Sequence, residues 1–147
     1  MSVPTIRLRP FSDSSPDHAN LLGGSPRRTI HDPFCIVVWR FKTEAGRAEA
    51  FQALCDEAAG LVREQPKCLF QRVTRKGSDF KVHVGLEDSY GVLSHISSFC
   101  DVLRQARLLG RYEGVEIHGP AGELAYLRDP LQAFEPTFFE RDGDQLV

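Results

Sequence analysis

The stretch Phe80 to Phe99, FKVHVGLEDSYGVLSHISSF, constrains the fold more than any other part of the chain. Phe80, Val82, Val84 and Leu86 alternate with Lys81, His83 and Gly85. That period of two marks a half-buried strand. Glu87, Asp88 and Ser89 follow as a tight acidic turn. Asp88 or Ser89 can cap the free N–H groups of a helix starting there, where the helix dipole favours carboxylates. Val92, Leu93, Ile96, Phe99, Cys100 and Leu103 then recur at helical spacing. His95 lies about 100° from Ile96 around that helix. This places it on the rim of the apolar stripe, facing either a helix–sheet cavity or solvent. His83 belongs to the strand face opposite Val82 and Val84, and either shares a pocket with His95 or lines a subunit interface.

The flanking sequence supplies the remaining elements. Phe34 to Lys42, FCIVVWRFK, is apolar nearly throughout and reads as a central strand covered on both faces. Trp39 shares a face with Cys35, Val37 and Phe41. Thr43 is expected to cap a helix carrying Phe51, Leu54, Cys55, Ala58, Leu61 and Val62, which Pro66 stops. Lys67 to Arg75 is a second strand, with Phe70 among its alternating residues. The turn Lys76-Gly77-Ser78-Asp79 joins it to the Phe80 strand as an antiparallel hairpin. Gly110 is expected just past the end of the His95 helix. Val115 to His118 forms a fourth strand, and Gly119-Pro120 open a short helix to about Arg128. The apolar run FEPTFF, Phe134 to Phe139, is expected to pack on this module or on a neighbouring subunit.

The order β-α-β-β-α-β defines an α+β, ferredoxin-like unit: a four-stranded antiparallel sheet with the helices on one face. Strands apolar on both sides leave the other face to be covered, and a second copy is the simplest cover, giving a homodimer. Residues 34–128 form this domain. Residues 1–33, rich in Pro and Ser, form a flexible N-terminal segment with Ile6–Phe11 as a candidate docking arm. Residues 129–147 are a C-terminal extension with a polar, frayed end. The N-terminal segment holds no acid before Asp13, which admits a transit peptide, and no apolar core of a secretory signal.

Composition narrows the function by exclusion. A net charge of −2 gives no reason to expect nucleic acid or an anionic membrane surface. No apolar run reaches the length of a membrane span. Cys35, Cys55, Cys68 and Cys100 show no metal-ligand spacing and read as buried free thiols in a reducing, cytoplasmic compartment.

The order of elements, with IVVWRFK, LVREQP, CLFQRVTRKGSDFKVHVGLEDS and YGVLSHISS, resembles the antibiotic-biosynthesis-monooxygenase-like (ABM) domain of the dimeric α/β-barrel superfamily. The resemblance covers about Phe34 to Pro120. It implies a small dimer. Some members oxidise aromatic or quinol substrates without metal or flavin, relatives degrade haem, and others have no known activity. The helix His of that family falls on His95. The strand Glu of many members is Val84 here, the aromatic two residues on is Leu86, and the chain's only Asn is Asn20.

Two readings follow from the resemblance. In the first, a cofactor-independent monooxygenase holds a small aromatic or quinol substrate between sheet and helices. His95 and His83 are then the catalytic candidates, and Trp39, Phe70, Tyr90 and Phe99 line the substrate, with Tyr90 at the cavity mouth. In the second, a non-catalytic barrel binds a small hydrophobic ligand. A haem-binding relative, with His95 as axial ligand, stands between them. Arg40 and Arg72 are expected either to pair with Glu116 across the sheet or to hold an anionic substrate.

Overall fold

The computed structural model describes residues 29–30, 32–141 and 144–145. These fall into two units. One contains residues 33–141; the other is represented by Thr29–Ile30 paired antiparallel with Asp144–Gln145. The expected docking arm Ile6–Phe11 and most of the N-terminal segment lie outside the described residues.

Residues 33–141 build the ferredoxin-like order. Strand β1 (Cys35–Thr43) leads into α1 (Ala48–Arg63), the hairpin β2 (Cys68–Lys76) and β3 (Asp79–Leu86), then α2 (Ser89–Leu109) and β4 (Gly110–Gly119). A short helix α3 (Ala121–Ala125) and a 3-10 turn at Gln132–Phe134 bring the chain to β5 (Thr137–Glu140). The sheet order is β2-β3-β1-β4-β5, so β1 is central, as its apolar run requires. The first four strands pair antiparallel, with Trp39 opposite Val82 on one side and Val115 on the other.

The sheet differs from the expected all-antiparallel one by β5. This strand lies parallel to β4, with Ile117 opposite Phe138 and His118 opposite Phe139. The sheet is therefore mixed and five-stranded. The physical reason is the apolar tail FEPTFF, which covers the otherwise open edge of β4.

Helices α1 and α2 lie on one face of the sheet. Phe51, Leu54, Ala58 and Val62 from α1, and Val92, Ile96, Phe99 and Leu103 from α2, pack with Val37, Trp39, Phe41, Phe80, Val82, Val84, Val115 and Ile117 in one core. The opposite face is less apolar than the strand patterns predict. Val38, Ile36 and Phe70 share it with Arg40, Lys81, His83, Arg72 and Glu116.

Two local expectations, for Thr43 and Cys100, are corrected. Thr43 does not cap α1: it ends β1, paired with Gly110, and its hydroxyl donates to the carbonyl of Ser78. The turn through Gly46 intervenes, and Arg47 precedes the helix without a side-chain cap. Cys100 points outward from α2 rather than into the core. Gly110 does follow the last residue of α2, but in extended backbone, because it opens β4 directly. Asp88 caps α2, accepting from the Gly91 N–H at 2.9 Å.

Among the described residues no helix is long and apolar enough to cross a membrane. Among the described residues no disulfide links the four cysteines. Burial, with the nearby charge of Asp56, pushes the Cys55 thiol up to about 12. Burial pushes Cys68 up to about 11. Thiols so shifted stay protonated and unreactive.

Candidate functional site

Strand alternation turns Trp39 toward α2, and the helical stripe turns His95 toward β1. The two meet: the Trp39 indole N–H donates to His95 Nε2 at 3.0 Å. Both side chains are 0% exposed. His95 is thus in the interior rather than on the rim of its helix. One turn further along α2, the Phe99 ring stacks on Trp39, with centroids 4.8 Å apart, and lies 5.0 Å from the His95 ring. Tyr112 and Phe134 approach the indole at 6.3 and 6.2 Å. The Tyr112 hydroxyl donates to the carbonyl of Phe134 at 3.3 Å.

Burial without a charged partner lowers the His95 pKa to about 4, so the ring is neutral at physiological pH. Its Nδ1 is enclosed and has no hydrogen-bond partner among the described residues. A second enclosed polar atom without a partner there is Gln71 Oε1, on the helix side of β2. Gln71 and Phe99 border a void of about 10 Å³ between the sheet and the two helices, space for roughly one water molecule. His95 and Trp39 do not line that void, and the rings found against His95 are those of Trp39 and Phe99.

The remaining candidates lie elsewhere. His83 sits opposite Val38 and Arg72 on the face away from the helices, so it does not share the His95 pocket. Its Nε2 is 3.2 Å from Thr74 Oγ1, and burial followed by the charge of Lys81 lowers its pKa. Phe70 is on that same face, its ring lying over Gly85 where a β-carbon would overlap it. Arg72 sits over this ring, 5.1 Å from its centroid. Arg40 is the arginine that pairs with Glu116, at 3.6 Å, and Glu116 also meets His118 at 3.0 Å. Tyr90 is 70% exposed in the first turn of α2 and lines no interior space. The structure thus brings together His95, Trp39 and Phe99, and separates His83, Phe70 and Tyr90 from them.

Two residues of the aromatic cluster, Phe134 and Tyr112, and Gln71 at the void were not among the sequence candidates. Gln71 carried a signal, a polar residue alternating in phase with Leu69 and Val73. Phe134 belongs to the apolar tail. Tyr112 had none, because β4 begins earlier than its apolar pattern. Among the described residues no three His, Cys, Asp or Glu side chains are grouped to hold a metal ion.

No protein-family model matches the chain, and no curated protein matches it in sequence. Solved structures do resemble it. MupZ from Pseudomonas fluorescens aligns with TM-score 0.75 and 26% identity, over 80% of this chain and 91% of that one. SnoaB from Streptomyces nogalater, a cofactor-independent oxygenase, aligns with TM-score 0.50 and 19% identity, over 56% and 90%. A structure of an antibiotic biosynthesis monooxygenase aligns with TM-score 0.50 and 14% identity, over 56% and 92%. The fold and the interior between sheet and helices define an α+β domain of the ferredoxin-like class. The chain shares this fold with structures named as antibiotic biosynthesis monooxygenases.

Proposed function

We propose that this ABM-like domain is a cofactor-independent monooxygenase, an oxidoreductase acting on a small aromatic or quinol substrate held beside His95. The observation that carries this reading is the buried, neutral His95 whose Nδ1 has no partner among the described residues, set against the stacked rings of Trp39 and Phe99. The similarity in fold to SnoaB, itself a cofactor-independent oxygenase, supports it. His95 is the catalytic residue, and Trp39 and Phe99 line the substrate. An electron-rich substrate anion gives one electron to O2. The radical pair joins as a peroxide anion, C–O–O⁻, which takes up from solvent the proton the substrate released on ionising. Loss of water from the hydroperoxide, with the hydrogen on that carbon, leaves a carbonyl, with one oxygen atom in product and one in water. An apolar site favours this chemistry by keeping the anion poorly solvated. The test is oxygen uptake with a panel of small quinols and phenols. Uptake by the wild type that falls at least tenfold in His95→Ala supports the reading; equal uptake removes His95 from the mechanism.

The second reading, a non-catalytic domain that binds a small hydrophobic ligand, is favoured by Val84 and Leu86, both enclosed, at the positions expected for Glu and an aromatic. It predicts ligand binding without oxygen uptake. The haem-binding alternative predicts a Soret band on adding haemin.

We also infer that the domain works as a homodimer whose open sheet face, with Val38, Phe70 and His83, meets a second copy. The absence of a disulfide among the four cysteines supports a cytoplasmic setting. A single chain in sedimentation at micromolar concentration contradicts the dimer.

A further inference from the structure

The geometry also says which way the His95 proton points. An indole N–H is only a donor. It reaches His95 Nε2 at 3.0 Å, so Nε2 must present its lone pair. A neutral imidazole then carries its single proton on Nδ1. The reverse tautomer would set Nε2–H against the indole N–H, two donors at hydrogen-bond distance, and leave a lone pair enclosed at Nδ1. The Nδ1–H form leaves one buried donor without a described acceptor. Such a group is destabilising, and in folded proteins it calls for a functional explanation. Phe99 touches both rings and its other side borders the small void with Gln71, which His95 does not itself line.

We propose that Trp39 is a positioning residue that locks His95 in the Nδ1–H tautomer, and that His95 therefore serves its ligand as a hydrogen-bond donor to an acceptor oxygen, a carbonyl or a phenolate. His95 does not take a proton from the substrate: Nδ1 already holds one and Nε2 is engaged by the indole. The ligand role rests on the site reading under Proposed function; the tautomer lock does not.

Long-range 1H–15N NMR on histidine-labelled protein reads the tautomer directly. The expected result is a protonated Nδ1 and a bare Nε2 for His95, with the proton redistributed toward Nε2 in Trp39→Phe, which keeps a ring and loses the donor. A wild-type proton on Nε2 overturns the lock, as does a tautomer unchanged in Trp39→Phe. Calorimetric titration with 1-indanone and with indane, alike in shape but differing by one carbonyl, tests the donor role. Wild type is expected to bind indanone about tenfold tighter, the effect of one hydrogen bond. His95→Phe is expected to bind both equally. Equal binding by the wild type overturns the donor role while leaving the lock. No binding of either probe defeats the site reading itself, and with it the donor role.

Discussion

The Trp39 indole N–H and His95 Nε2 stand 3.0 Å apart across 56 residues of sequence. This hydrogen bond ties the central strand to α2 inside a core that is otherwise apolar or aromatic. Its acceptor works only while His95 is neutral, so the bond makes the fold sensitive to acid.

The first prediction follows from that sensitivity. His95 titrates near 4 in the folded chain and near 6.5 when unfolded. Both states are neutral at this residue above pH 6.5. Between pH 6.5 and 4 the unfolded state binds a proton that the folded state refuses, so stability falls as pH falls. The loss approaches about 3 kcal/mol at pH 4. Urea denaturation at pH 7.5 and 4.5 is expected to show this loss in the wild type. In His95→Phe most of it should be absent, and an equal loss in both proteins would assign the acid sensitivity to other groups.

Phe99→Ala removes the ring that stacks on Trp39 and borders the void beside Gln71. Truncation of a buried Phe costs about 3–5 kcal/mol. The denaturation midpoint should fall accordingly with an unchanged slope. A loss under 1 kcal/mol would mean that neighbouring side chains close the space.

The fold was legible where apolar periodicity was unbroken. β1, the β2–β3 hairpin and α2 all carry clean patterns, and of the two candidate caps, Asp88 and Ser89, the structure uses Asp88. What escaped has physical reasons. Thr43 suits a cap as well as a strand end, and only pairing with Gly110 decides between them. β5 pairs with a strand some twenty residues earlier, a contact no local pattern encodes. The site was half legible. The resemblance marked His95, and Trp39 was visible as an indole on the central strand, but their contact depends on how α2 sits across β1. Alternation already put His83 on the strand face opposite Val82 and Val84, and only the placing of both helices on the Val82 face separates it from His95.

Asp88 accepts from the Gly91 N–H and from Lys67 Nζ, each at 2.9 Å. Burial alone would raise the Asp88 pKa, but these two hydrogen bonds more than offset it and hold the carboxyl below its usual range. The ion pair is partly exposed and adds little. Asp88→Ala should therefore cost about 1 kcal/mol, the value of a lost N-cap. Asp88→Asn should recover most of it, and equal midpoints for wild type and Asp88→Ala would contradict the capping role.

Gly114 has φ +132 beside the register shift between Arg40 and Phe41. An added β-carbon would also crowd the Arg40 guanidinium. Gly114→Ala is expected to cost about 1–3 kcal/mol, read as a lowered midpoint in thermal or urea unfolding. An unchanged midpoint would show that β4 relaxes to remove the strain.

The chain's single Trp gives one indole N–H resonance, a reporter placed at the proposed site. The most direct test is to follow that resonance and those of His95, His83 and His118 while titrating the protein with 1-indanone. The Trp39 and His95 signals are expected to move in step with calorimetric saturation, while His83 and His118, on the far face of the sheet, stay in place. Saturation that moves His83 and His118 and leaves the indole unmoved would put the ligand on the open face and contradict the proposed site.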